Sequence, residues 1–261
     1  MSTETLMNSL HSFLVTSHIV VGAAALVLFW IPVLAKKGSR LHVGAGKAYA
    51  TAMYVVSITA FFASVIVLAD PIGIRRPGAI LDPEVAEQLA TRFRISSLFL
   101  LMLSVLVFSS VHHGLMALRE RTSPGILKTP WHRGMIVALG VLGITVGIIG
   151  VRNEAILLMI FGGISMFGAF GMFRETLPDR LDAKERLVAH LGGLIGSGIG
   201  AYTAFFAFGG SRFLAELLPG QWQVVSWIIA PVIGTIAINR LSRRYQKPKT
   251  AAVKAAPVSQ G

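Results

Sequence analysis

Apolar positions along this chain come in long runs, broken by short polar connections, with neither the stripes of a surface helix nor the alternation of a strand. Runs close to the roughly 18 residues that a membrane-crossing helix needs cover His11–Ala35, Val43–Ala69, Ile95–Leu118, Met135–Val151, Ala155–Phe173, Leu187–Gly209 and Val224–Asn239. The fourth and seventh are the shortest. The pattern predicts an all-α transmembrane bundle of about seven spans, forming one domain over residues 1–244. Residues 245–261 carry Lys, Ala and Pro without periodicity and are expected to be a disordered basic tail. The first run has no basic segment before it and no small-residue cleavage site after it, so it is expected to stay as a helix.

Two connections hold further helical signals. In "LDPEVAEQLATRF", Asp82 can cap, Pro83 suits a first helical position, and Val85, Leu89 and Phe93 fall on one face. This segment either lies on the membrane or lengthens the third span. In "RETLPDRLDAKERLVAH" a helix is expected to start near Pro178–Asp179 and run into the sixth span.

Composition supports the membrane assignment. Of 261 residues, 54% are hydrophobic and 14% charged, and the mean hydropathy of +0.68 lies outside the balance of a soluble domain. The net charge of +12 gains its meaning from position. Lys36, Lys37, Arg40 and Lys47 follow the first run; Arg119, Arg121, Lys128 and Arg133 follow the third; Arg174, Arg180, Lys184 and Arg186 follow the fifth. With the tail from Arg240 to Lys254 these make 18 of the 24 basic residues. The positive-inside rule then predicts an outside N-terminus and a cytoplasmic C-terminus. Topology and anionic lipid on the cytoplasmic face account for the basic excess, and nucleic acid is not an expected partner. The chain has no cysteine, which excludes disulfides, thiolate metal sites and covalently attached haem.

Histidines are the candidate chemistry. At 1.5 Å per residue, His42, His112, His113, His132 and His190 gather at the cytoplasmic boundary, while His18 lies about two turns inside the outer leaflet. His42 and His190 stand near helix N-termini, where the dipole favours the neutral ring that binds metal. His112 and His113 stand near a helix C-terminus, face about 100° apart, and suit the head groups, with His113 able to turn towards the bundle. The glycines of "HLGGLIGSGIG" give two small faces, Gly192-Gly196-Gly200 and Ala189-Gly193-Ser197-Ala201. Either could admit a neighbouring helix or a flat porphyrin or quinone. No carboxylate lies in the middle of a run, which weakens a carboxylate relay or sodium site. The "TAFFA" of Thr59–Ala63 returns at Thr203–Ala207, with His42 17 residues before the first copy and His190 13 before the second. It is either an internal repeat or chance recurrence in Ala/Phe-rich helices.

The stretches "SHIVVGAAAL", "KKGSRLHVGAGKAYATAM", "RLVAHLGGLIGSGIGAYTAFF" and "LPGQWQVVSWIIAPVIG" together resemble a family of uncharacterised bacterial integral membrane proteins. His18 with Gly22, then Lys37, Gly38, His42 and Gly46, then His190 with Ala204 and Phe205 match its pattern. The resemblance implies a polytopic fold in the bacterial cytoplasmic (inner) membrane and no established activity. A looser similarity reaches transmembrane b-type cytochromes, whose histidines clamp haem from different helices at matched depth. The membrane aspartate and paired-histidine motif of seven-helix zinc hydrolases are missing.

Three functions follow as expectations. In the first, His42 and His190 bind b-type haem or a divalent metal at the cytoplasmic side, with His113 or His132 as a further ligand, so the metal set is His42, His190 and His132. In the second, a transporter or sensor lines a cavity with His18 and the sixth span. In the third, an accessory subunit uses its histidines as anchors. A quinone or other apolar small molecule is a candidate partner.

Overall fold

The computed structural model describes residues 3–206 together with residues 229, 232–236, 238–240 and 243. Among them the chain is helical throughout, without strands. The elements are α1 (Thr3–Leu34), α2 (Arg40–Ala69), the short α3 (Pro71–Arg75), α4 (Pro83–Arg119), a 3-10 turn (Ile126–Lys128), α5 (Pro130–Arg152), α6 (Ile156–Glu175) and α7 (Ala183–Ala204). Six helices, α1, α2, α4, α5, α6 and α7, are long and apolar enough to cross a membrane. They correspond to the first six predicted runs. The seventh run, Val224–Asn239, lies largely outside the described residues, as does the tail from 245. Within that run residues 232–236 are helical, and Gly234 sits against Ile199 of α7. The chain is a multi-pass membrane protein.

Local chemistry sets the helix ends. Between α1 and α2, Lys37 Nζ donates to the carbonyls of Pro32 and Val33 at 2.8 and 2.6 Å, meeting the orphan acceptors of a helix C-terminus. Gly38 turns the chain at φ +78°, where a side chain is disfavoured. Ser39 then caps α2 by accepting from the His42 N–H at 3.2 Å. The Lys-Gly…His stretch is thus a helix-turn-helix clasp. Asp82 caps α4 and Pro83 opens it, as expected. This helix continues through Arg119 without a break, about 55 Å long at 1.5 Å per residue, so the acidic segment lengthens the third span. Asp182 and Glu185 form a capping box on α7, four residues beyond the expected start, because Pro178 lies in the turn before it.

Helix α4 is central, touching α2, α5, α6 and α7; α1 lies on α2, and α5 and α6 form a tight hairpin. Glycines set the closest approaches. A Cβ on Gly162 would stand 2.7 Å from the Gly147 backbone, and one on Gly143 would stand 2.9 Å from the Gly162 oxygen. Where α4 crosses α7, Gly114 and Gly193 face each other in the same way. The small face Ala189-Gly193-Ser197-Ala201 therefore serves helix packing. The "TAFFA" copies share a local feature, since Thr59 and Thr203 each donate to the carbonyl four residues back. The pairing around them differs: α2 lies on its predecessor α1, whereas α7 lies on α4. Ala207 lies outside the described residues.

Candidate functional site

The connections α1–α2, α4–α5 and α6–α7 share one end of the bundle, which the basic residues mark. There α4 ends, α5 begins and α6 ends, and their side chains meet. His113, two turns before the end of α4, is 2% exposed, and His132, third in α5, is 1% exposed. Nδ1 of His113 lies 2.9 Å from Nε2 of His132, with the rings stacked at 5.1 Å and 24°. Nε2 of His113 lies 2.6 Å from Oε2 of Glu175 at the end of α6. The Glu175 side chain is 37% exposed, so the chain of contacts starts in solvent and ends inside the protein. At its inner end Nδ1 of His132 is buried with no partner.

Arg133 clamps the same corner. It donates through Nη2 to the Thr176 carbonyl at 2.9 Å and through Nε to the Thr176 hydroxyl at 3.2 Å, holding the start of α5 to the residue after Glu175. The α4–α5 turn is fixed by Glu120, whose Oε1 accepts from the Gly125 N–H at 2.8 Å. Lys128 donates to Asp179 at 2.9 Å, tying that turn to the α6–α7 connection. Beside the buried pair, Nδ1 of His112 lies 3.2 Å from the Tyr54 hydroxyl of α2, and its ring centroid is 5.4 Å from that of His132.

The hydrogen-bond chemistry of this chain is constrained. A carboxylate only accepts, and a neutral imidazole donates from one nitrogen and accepts at the other. With Glu175 ionised and both rings neutral, His113 donates from Nε2 to Glu175 and accepts at Nδ1 from Nε2–H of His132. Nδ1 of His132 is then a buried lone pair. A proton reaching it can be relayed: Nε2–H passes to His113, the next proton passes to Glu175, and both rings end neutral in the other tautomer. Only protons move, because every transfer follows a hydrogen bond already in place.

The predicted residues divide among different surroundings. His113 and His132 come together. His42 bonds through Nδ1 to the Pro32 carbonyl at 2.9 Å, and His190 through Nδ1 to the Gly114 carbonyl at 3.2 Å. These two are near enough for their charges to interact, and each keeps Nε2 available. His18 bonds through Nδ1 to the Val56 carbonyl at 2.9 Å. His42, His190 and His132 do not gather into one metal set: among the described residues no three His, Asp or Glu side chains converge on a common point, because His132 is turned to His113. The "HHG" pair stands within α4, which runs six residues beyond His113, and His113 is turned towards the bundle, where it meets His132.

Glu175, Tyr54 and Glu120 were missed from sequence. The signal for Glu175 was available, because the ends of the third and fifth runs and the start of the fourth share one predicted depth. Glu175 stands at the end of its run, so the rule that flags ionisable groups inside the hydrocarbon passes over it. Compared with known protein families, curated proteins and solved structures, the chain matches none.

Proposed function

We propose that this multi-pass membrane protein works as a proton-handling protein, with Glu175, His113 and His132 carrying a proton between the basic surface and the bundle interior. The observation that carries this reading is the unpartnered Nδ1 of His132 at the buried end of a hydrogen-bonded chain whose other end is a part-exposed carboxylate. An unpaired polar atom in such a place costs about 1–3 kcal/mol; Ser97, Ser109, Ser165 and Oε2 of Glu120 share that state among the described residues, but His132 Nδ1 is the one that ends a line of hydrogen-bonded titratable groups. The proposal includes seven spans, an outside N-terminus and a basic end facing anionic lipid on the cytoplasmic side of a bacterial inner membrane. Charge bias supports that placement.

Infrared titration in lipid nanodiscs tests the relay. The carboxyl change of Glu175, identified by its loss in Glu175→Gln, should titrate together with the imidazole changes and should shift in His132→Phe. A carboxyl change untouched by His132→Phe would overturn the reading.

A second reading keeps haem or a metal on His42 and His190. It is favoured by one observation, that both Nδ1 atoms are anchored by carbonyls, the arrangement that orients a ligating Nε2. An absorption spectrum with metal analysis of the purified protein decides it: a Soret band or stoichiometric metal, lost in His42→Ala, supports it, and neither feature refutes it.

A further inference from the structure

Along the outward side of α2 and α4 the chemistry changes with depth. Deepest is an apolar groove between α2, α4 and α5, walled by Phe61, Phe62, Phe108 and Trp131. It faces outward: Phe62 is 52% exposed and Trp131 69% exposed. The bond between the Tyr54 hydroxyl and Nδ1 of His112 at 3.2 Å fixes the register of the two helices next to it. About two turns from Tyr54 towards the basic end, α2 carries Lys47; about two turns from His112 the same way, α4 carries Arg119. Residues two turns apart return to the same helix face, so the two cations stand level with each other on the side of Tyr54 and His112. The Arg119 charge is felt at the Tyr54 hydroxyl and at the His112 ring, which places it on that side of α4. Thr51 is exposed on the same face of α2, between Lys47 and Tyr54.

Both cations lack a counter-charge. Lys47 and Arg119 are exposed, and among the described residues neither side chain has a hydrogen bond or an ion pair. Helix α2 contains no acidic residue, and Glu120, the neighbour of Arg119, is 3% exposed and turned to Gly125. Trp131 marks the depth, because an exposed Trp on a span belongs at the boundary of hydrocarbon and head groups. His132 is level with His113, so Arg119 stands more than one turn beyond Trp131 on the basic side. Long basic side chains there reach phosphate depth.

We propose that this face holds one molecule of the anionic phospholipid phosphatidylglycerol, its phosphate on Lys47 and Arg119 and one acyl chain in the groove beneath. The groove alone does not choose among lipids, because any acyl chain fits its walls; the cations make the choice. A phosphodiester whose head group carries no cation leaves its whole charge to Lys47 and Arg119, and the Thr51 hydroxyl can donate to one of its oxygens. Phosphatidylethanolamine brings an ammonium group to a place with two positive charges and no carboxylate. Each basic residue near the bilayer surface is worth about 5-fold in anionic-lipid affinity, the equivalent of roughly 1 kcal/mol, so the two together give about 25-fold. The site goes beyond the proton relay and does not depend on it.

The test uses the full chain in phosphatidylcholine nanodiscs, with Trp30, Trp222 and Trp227 replaced by Phe so that Trp131, in the groove wall, alone reports. Phosphatidylglycerol and phosphatidylethanolamine, each brominated on its acyl chains, are titrated in as quenchers. Phosphatidylglycerol should quench Trp131 saturably, at a mole fraction about 25-fold below that needed for phosphatidylethanolamine. Lys47→Gln and Arg119→Gln should each reduce that preference about 5-fold, and the double variant should remove it while both lipids still quench by random contact. These substitutions change exposed side chains, so the fold is retained. Arg174→Gln, which removes an exposed charge from α6, should leave the preference intact. Equal quenching by the two lipids with Lys47 and Arg119 both present overturns the site, as does a preference that survives the double variant. An equal loss in Arg174→Gln overturns it too, since that is the behaviour of a diffuse basic surface.

Discussion

Replacing Gly193 by alanine separates the two uses of the glycine-rich helix. A methyl group at 193 would stand 2.9 Å from Gly114 Cα and 3.0 Å from Gly114 N, and would also meet the Ser110 carbonyl oxygen. Carbon atoms in good contact are about 3.5–4.0 Å apart, and all three neighbours belong to the backbone of α4. No rotamer change relieves the overlap, so α4 and α7 must part by roughly 1 Å. Overpacking of this kind costs about 1–3 kcal/mol. The same movement stretches the 3.2 Å bond from His190 to the Gly114 carbonyl, worth about another 1 kcal/mol. Gly192 and Gly196 are the controls, because a Cβ at either meets nothing within 4 Å and alanine favours a helix by about 1 kcal/mol over glycine. In detergent, thermal unfolding should fall for Gly193→Ala and hold or rise for Gly192→Ala and Gly196→Ala. Equal stability of Gly193→Ala and wild type would refute the close crossing, and equal loss in all three would show that these glycines answer to something other than α4.

Three further outcomes are expected. Gly162→Ala should cost about 1–3 kcal/mol by forcing α5 from α6, since the nearest atoms are Gly147 backbone at 2.7 Å; urea or thermal unfolding reads it, and an unchanged midpoint counts against the hairpin geometry. The lack of native cysteine allows a direct topology test: in sealed cells a membrane-impermeant maleimide should label Ala79→Cys and spare Ser123→Cys, and the reverse pattern inverts the orientation. The Asp182 carboxyl is held below its usual range, first by the Glu185 backbone N–H and also by that of Lys184. Its contribution is therefore present above the unfolded-state value and lost as pH falls through the depressed one; hydrogen-exchange protection at Lys184 and Glu185, each rate taken relative to the intrinsic rate at that pH, should fall on acidification in wild type and stay level in Asp182→Asn, which keeps an accepting oxygen.

Hydrophobic run length carried most of the fold, because a backbone crossing hydrocarbon must satisfy its own hydrogen bonds; the six matched spans follow from it, and the Asp82–Pro83 start follows from its capping and proline signals. Which faces meet was less legible. The small face of α7 was visible as a pattern, but its partner depended on how α4 and α7 lie across each other. Placing His112 and His113 near a helix C-terminus assigns both rings to the dipole, and only the allowance that His113 turns towards the bundle agrees with its contact to His132. The dipole effect fades within the last turn, and α4 continues to Arg119. The 100° divergence of neighbouring side chains was right in geometry; it sends His112 to Tyr54 and His113 to His132, giving each ring a different helix to meet.

The partners of the histidines also separate what can move a proton from what cannot. A backbone carbonyl only accepts, so Nδ1 of His18, His42 and His190 must keep its proton for those bonds to exist. A change at these rings is confined to Nε2, and removing the Nδ1 proton would leave a carbonyl and a lone pair facing each other. His113 has no such pin. Both of its neighbours, Glu175 and His132, can take or give a proton themselves, so each bond survives when the donor and acceptor exchange roles. Pairing with titratable groups on both sides, more than burial or depth, singles out His113 among the ring pairs of the bundle, at a corner where three helix ends are already held by Arg133, Glu120 and Lys128.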